Sequence, residues 1–211
     1  MKIINIKNLD DLDVDLRGTV SVLKNDDLII FPTETLYGIG ANALSEKAVK
    51  KIFLAKKRLE SKPILVLISK IEMLDRLVFE IPKIARGLMT KFWPGPLTII
   101  FEKRSEVPSA LNPGGNTIAV RMTSSPIAQK IINLCNFPIT APSANISGKE
   151  PIKNYKEALE EFGDSELIKC MIENENMKPS KPSTIVDVSG GDLRVIREGV
   201  ISQTEIEKAL R

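Results

Sequence analysis

The 211-residue chain is 43% hydrophobic and 5% aromatic, enough to bury a sizeable core as one domain spanning residues 1–211. Thirty Lys and Arg against 27 Asp and Glu leave a net charge of +3, too small for bulk charge alone to imply a nucleic-acid partner. With no histidine, and two distant cysteines (Cys135, Cys170) outside any CxxC pattern, the composition disfavours zinc sites, Ser–His or Cys–His nucleophile pairs and a disulfide framework.

The N-terminal "MKIINIKNLDD" alternates apolar and polar residues, unlike a signal-peptide core, and no later apolar run approaches a membrane span. The chain therefore reads as cytoplasmic. Short β-branched runs bounded by Pro, Gly, Asn or Ser predict strands at Ile3–Ile6, Leu28–Phe31, Ile64–Ile68, Leu97–Phe101, Ile118–Met122, Ile139–Ala141, Ile185–Val188 and Leu193–Ile196. Ser45 is placed to cap a helix whose Ala48, Val49, Ile52, Phe53 and Ala55 share one side. Pro126 suits the first turn of a second helix carrying Ile127, Ile131, Ile132 and Cys135. Gly190-Gly191 between two strand-like runs predicts a hairpin, so the sheet should be mixed rather than purely parallel. The polar segment Glu173–Ser183, with two prolines, reads as an exposed loop.

Several stretches carry chemistry. "FPTETLYGIG" (Phe31–Gly40) places Thr33, Glu34 and Thr35 where a buried strand ends. Its glycines begin a G-x-G-x-x-A match, but six residues separate Phe31 from Gly38, which does not fit a dinucleotide loop. Residues 46–62 hold seven basic side chains against two acidic ones. Of these, Lys56, Lys57 and Arg58 fall at a helix-to-strand junction. There they either answer the helix dipole or grip phosphate oxygens. "APSANISG" aligns Ser143, Asn145 and Ser147 on one side of an extended segment, either turn chemistry or a binding edge. Arg121, inside the apolar "NTIAVRM", needs an anionic partner from the protein or from a ligand. Ser183, Thr184 and Arg197 lie near strand ends, and Trp93 in "KFWPGPLT" reads as a packing anchor.

In order, "FPTETLYGIGANA", "FLAKKRLESKPILVLI", "FWPGPLTIIF", "TIAVRM", "APSANISG", "PSTIVDV" and "VIREG" resemble the YrdC-like family of threonylcarbamoyl-AMP synthases, over roughly residues 15–200. The resemblance implies an α/β fold with a twisted mixed β-sheet, flanking helices and a basic concave site. It implies a nucleotidyltransferase that joins L-threonine, bicarbonate (or CO2) and ATP, with Mg2+, into threonylcarbamoyl-AMP and pyrophosphate. The product would serve tRNA threonylcarbamoyl-transfer machinery, with room for weak tRNA binding and no membrane partner. Its Lys-x-Arg and Ser-x-Asn signature falls on Lys56, Arg58, Ser143 and Asn145, with Lys56 and Arg58 as the catalytic pair. Thr117, Arg197 and Glu60 are the further ATP-site residues it implies; Thr33, Arg121, Ala141 and Ser183 are those for threonine. Leu59 stands where the family usually has proline, and the chain resembles the short, single-domain form. The competing readings are an RNA-binding module and a carbamoyl-transfer-type domain of the same fold.

Overall fold

The computed structural model describes residues 1–6, 16–57, 62–150, 152, 154–174 and 180–210. Its strands are β1 (Lys2–Asn5), β2 (Leu28–Pro32), β3 (Tyr37–Gly40), β4 (Val66–Ile68), β5 (Leu97–Glu102), β6 (Thr117–Met122), β7 (Ile139–Thr140), β8 (Ile168–Glu173), β9 (Thr184–Asp187) and β10 (Arg194–Arg197). The helices are α1 (Arg17–Lys24), α2 (Glu46–Lys56), α3 (Lys83–Phe92), α4 (Pro126–Cys135), α5 (Tyr155–Phe162) and α6 (Gln203–Lys208).

The strands divide between two mixed sheets, ordered β1-β8-β2-β3 and β10-β9-β5-β6-β4-β7. In the first, β8 runs parallel to both β1 and β2, and all five residues of β2 are buried, as expected of a strand covered on both faces. The hairpin expected at Gly190-Gly191 joins antiparallel β9 and β10, and Gly191 takes the positive φ of +88° that such a turn requires. The two sheets meet edge to edge. Gly38 bridges Ser143 and Asn42 bridges Ile139, while Thr140 N–H donates to Ala41 O (3.0 Å) and Ile39 N–H to Pro142 O (3.0 Å). The expected twisted mixed sheet is thus assembled from two sheets joined along β3 and β7.

Helix positions follow from their caps. Ser45 accepts from Ala48 N–H at the start of α2, and Lys57, in the left-handed region at φ 48°, ends it. Ser125 caps α4 ahead of Pro126. Helices α1, α2 and α4 pack on β2, and α5 on β8, burying a continuous apolar core. Among the described residues no helix is long and apolar enough to cross a membrane. Trp93 anchors its turn: it is buried, donates Nε1–H to Leu97 O (2.7 Å) and meets Phe101 edge-on at 6.4 Å.

Two strands were absent from the sequence expectation. Strand β3 hides behind its glycines, which are packing positions rather than a loop. A Cβ on Gly40 would lie 2.7 Å from Ile29 Cγ1, and one on Gly38 would lie 3.3 Å from Ala141 Cβ. Strand β8 ends at Glu173, so the expected Glu173–Ser183 loop begins and ends on buried residues rather than exposed ones. Residues 175–179 of that loop lie outside the described residues.

Candidate active site

Side chains alternate across a strand, so Thr117, Ala119 and Arg121 of β6 point to one face. Ile100 of β5 pairs with Ala119, and Thr98 pairs with Ile185 of β9. With Leu65 and Ala141, all of these but Thr117 line a cavity of about 420 Å3. The hairpin residues Thr33, Thr35 and Tyr37 line it, as do Ser143, Ser183 and Arg197. Among the described residues its two charged lining residues are Arg121 and Arg197, so the cavity favours an anion.

Arg121 is 2% exposed. Its Nη1 donates to Thr35 Oγ1 (3.1 Å), and its Nε lies 3.4 Å from Glu34 Oε1. Glu34 is held in turn by Thr123, whose hydroxyl donates to Oε2 at 2.6 Å. The anionic partner that Arg121 required is therefore supplied by the protein, from the hairpin turn. Burial pulls the Arg121 pKa below the ordinary arginine value; Glu34 opposes that shift and the Arg197 charge adds to it. Arg197 reaches from β10 to Ser183, with Nε and Nη2 donating to the backbone oxygen at 3.2 and 2.8 Å. Ser183 Oγ lies 3.0 Å from Thr98 Oγ1. Cationic and hydroxyl groups are thus gathered at one end of the cavity.

A further part of the wall comes from Ala141, Pro142 and Ser143. Lys56, 2% exposed, sends its ammonium to Ser143 O, to Asn145 O (2.7 Å) and to Asn145 Oδ1 (3.2 Å). Ser143 Oγ also donates to Asn145 Oδ1 (2.6 Å), and Asn145 Nδ2 donates to Lys149 O (2.6 Å). A charged donor with several carbonyl acceptors fixes this loop more firmly than turn chemistry alone. Tyr37 OH accepts Asn174 N–H (3.3 Å); burial chiefly raises its pKa, the Asn174 bond opposing and the Glu173 charge adding.

The family model Sua5/YciO/YrdC, described as "Telomere recombination", matches residues 21–199. A Pyrococcus abyssi protein named threonylcarbamoyl-AMP synthase is 40% identical over 195 residues, 92% of this chain and 57% of its own length. A Bacillus subtilis protein of the same name is 43% identical over 141 residues, 65% of this chain and 40% of its own length. The crystal structure of P. abyssi Sua5 complexed with L-threonine superposes with a TM-score of 0.90 at 38% identity, covering 100% of this chain and 61% of that one. The chain belongs to the Sua5/YciO/YrdC family. It spans 57% of the length of its P. abyssi relative and 40% of its B. subtilis relative.

In this family member, Thr33, Arg121, Ala141 and Ser183 all line the one cavity, together with Ser143 and Arg197. Lys56 and Asn145 stand directly behind Ser143. Thr33 also closes the hairpin turn, because its hydroxyl donates to Leu36 O (2.7 Å) and accepts Thr35 and Leu36 N–H (both 3.2 Å). Thr117 is on the cavity face of β6 but is not among the lining residues, and its hydroxyl accepts from Asn112 Nδ2 (2.9 Å). Arg58 and Glu60 lie outside the described residues. Sequence reasoning passed over Thr98 and noted Glu34 and Thr35 at the strand mouth without giving either a role. For Glu34 a signal existed, because a buried arginine and an acid at a strand mouth both lacked partners.

Proposed function

We propose that this chain acts as an L-threonylcarbamoyladenylate synthase, converting ATP, L-threonine and bicarbonate (or CO2) to threonylcarbamoyl-AMP and pyrophosphate. The observation that carries the reading is the cavity: Arg121, Thr35 and Ser183 line it together, offering a cation and hydroxyls to an amino-acid carboxylate. The P. abyssi relative, whose structure bears the same fold, is complexed with L-threonine. A cavity of about 420 Å3 with an apolar floor suits small molecules better than an RNA backbone, which favours the synthase over an RNA-binding module.

The chemistry asks little of a general base. The threonine amine adds to CO2 and loses a proton, giving a carbamate. A carbamate oxygen attacks the α-phosphorus, the bond from that phosphorus to the bridging oxygen breaks, and pyrophosphate leaves. Because the nucleophile already carries charge, the protein mainly positions and neutralises, which suits a chain without histidine. Arg121 orients the carboxylate end, and Arg197 belongs with the nucleotide. The loop fixed by Lys56 presents Ser143 to the nucleotide, and we assign Arg58, by its place in the sequence signature, to the phosphates. Ala119 and Ala141 leave floor space for the substrates, while Thr117 and Glu60 belong to the nucleotide side.

Among the described residues no group of three His, Cys, Asp or Glu could hold a metal. Asn145 Oδ1 already accepts from Lys56 and Ser143, which leaves the Ser143 hydroxyl as the oxygen that would face Mg2+, so the ion fits as one brought by ATP rather than held in a protein cage. When bound, Mg2+ neutralises triphosphate charge. The product is a reactive mixed anhydride for a tRNA threonylcarbamoyl-transfer step, with weak tRNA contact during hand-over, and we assign the reaction to the cytoplasm. Pyrophosphate release that requires ATP, threonine and bicarbonate together tests the proposal; release without threonine, or none at all, counts against it.

A further inference from the structure

Glu34 is the one residue of the hairpin turn Thr33–Leu36 that stays out of the cavity lining while touching its central cation. Its side chain is 14% exposed and that of Arg121 is 3% exposed. Glu34 Oε1 and Arg121 Nε are 3.4 Å apart, yet among the described residues neither atom has a hydrogen-bond partner. The pair is therefore held by charge, without the bidentate lock that would immobilise both groups. Glu34 is anchored from the far side instead. Thr123 donates to its Oε2 (2.6 Å), Gln129 Nε2 donates to Thr123 O (2.8 Å), and the Ser125 hydroxyl donates to Pro32 O (3.3 Å) at the end of β2. That anchorage ties the carboxylate to the N-terminal turn of α4 and to the strand that begins the hairpin.

Arg121 is buried, and its Nη1 reaches Thr35 Oγ1 (3.1 Å) at the cavity. Without a carboxylate behind it, a guanidinium this buried turns toward water. We propose that Glu34 is the positioning residue of this site: it holds the Arg121 guanidinium beside Thr35 at the cavity, so that Arg121 receives the amino-acid carboxylate. The inference rests on the synthase reading and gives that reading its selectivity for an amino acid with a free α-carboxylate.

The test uses Glu34→Gln, which keeps the shape and the oxygen facing Thr123, with Glu34→Asp as the charge-conserving variant. Calorimetry compares the binding of L-threonine with that of L-threoninamide, which lacks the carboxylate. KM for threonine and for ATP is measured alongside by pyrophosphate release. The expected result is a fall of about tenfold or more in the threonine-to-threoninamide preference of Glu34→Gln. Threonine KM should rise by a similar factor, ATP KM should stay within twofold, and Glu34→Asp should recover part of the preference. An unchanged preference with a lowered melting temperature would make Glu34 a structural group and overturn the proposal. Tighter threonine binding in Glu34→Gln would also overturn it, since the carboxylate would then only be weakening the pocket's charge. A wild-type protein that neither binds threonine nor releases pyrophosphate would overturn the synthase reading and this inference with it.

Discussion

Replacing Lys56 with Met separates two roles that a buried lysine beside a nucleotide site can have. Its ammonium bonds Ser143 O, Asn145 O and Asn145 Oδ1, and the residue is 2% exposed. In Lys56→Met, Asn145 Oδ1 keeps its bond from Ser143 Oγ, but the two backbone oxygens lose their cationic donor. Ser143 O still accepts the Asn145 N–H (3.0 Å), so Asn145 O is the acceptor left orphaned; at roughly 1–3 kcal/mol this gives a net loss of about 2 kcal/mol. For 211 residues the unfolding entropy is about 0.44 kcal/mol/K, so the melting temperature should fall by about 5 °C. Calorimetry of the ligand-free protein reads this directly, and ATP KM should rise in the same variant as the loop carrying Ser143 loosens. Lys56→Arg should not restore either quantity, because a planar fork does not fit a nest built for a compact ammonium. A Lys56→Met protein that melts within about 1 °C of wild type while its ATP KM rises would refute the reasoning. The ammonium would then serve the phosphates alone.

Gly199→Ala should perturb the site from behind. The new Cβ would lie 2.1 Å from Pro182 O and 2.7 Å from Ser183 C, costing about 1–3 kcal/mol and displacing Ser183; an unchanged melting temperature and threonine KM would contradict this. Burial pushes the Cys135 thiol from 9.0 up to about 12, with Lys24 opposing. The folded state therefore keeps a proton that the unfolded chain loses first. That contribution is whole below pH 9.0 and is lost as pH rises toward about 12, at up to about 1.4 kcal/mol per pH unit. Denaturant titrations from pH 9 upward should show a shallower decline for Cys135→Ala than for wild type, and identical slopes would count against the assignment. Arg58→Ala should lower pyrophosphate release ~100-fold or more with the circular dichroism spectrum unchanged; near-wild-type turnover would remove Arg58 from the mechanism.

The sequence was most legible where one physical requirement acted alone. Ser45 and Pro126 announce helices because caps and first turns tolerate few alternatives, and Gly190-Gly191 announces its hairpin for the same reason. Strand β3 was illegible because Gly38 and Gly40 read as a loop, whereas their missing side chains let β3 close on Ile29, Phe31 and Ala141. Helix α1, "RGTVSVLK", carries Gly and β-branched residues that weaken local helical preference; its place comes from packing on α4 and β2. In the site, the flagged residues Arg121, Glu34 and Lys56 proved to be tied to other parts of the fold. Arg121 needed an anion, Glu34 had no local purpose, and the fold pairs them across 87 positions of sequence. No local pattern could reveal that, nor that the Lys56 ammonium would turn inward to hold a loop far along the chain.

The central claim is that one cavity brings an amino-acid carboxylate and a nucleotide together. The most direct measurement is pyrophosphate release by the wild-type chain with each of ATP, L-threonine and bicarbonate omitted in turn, coupled to mass detection of threonylcarbamoyl-AMP. The account predicts release and adduct only when all three are present, and loss of both in Arg121→Met. Release that persists without threonine, or full activity in Arg121→Met, would contradict it.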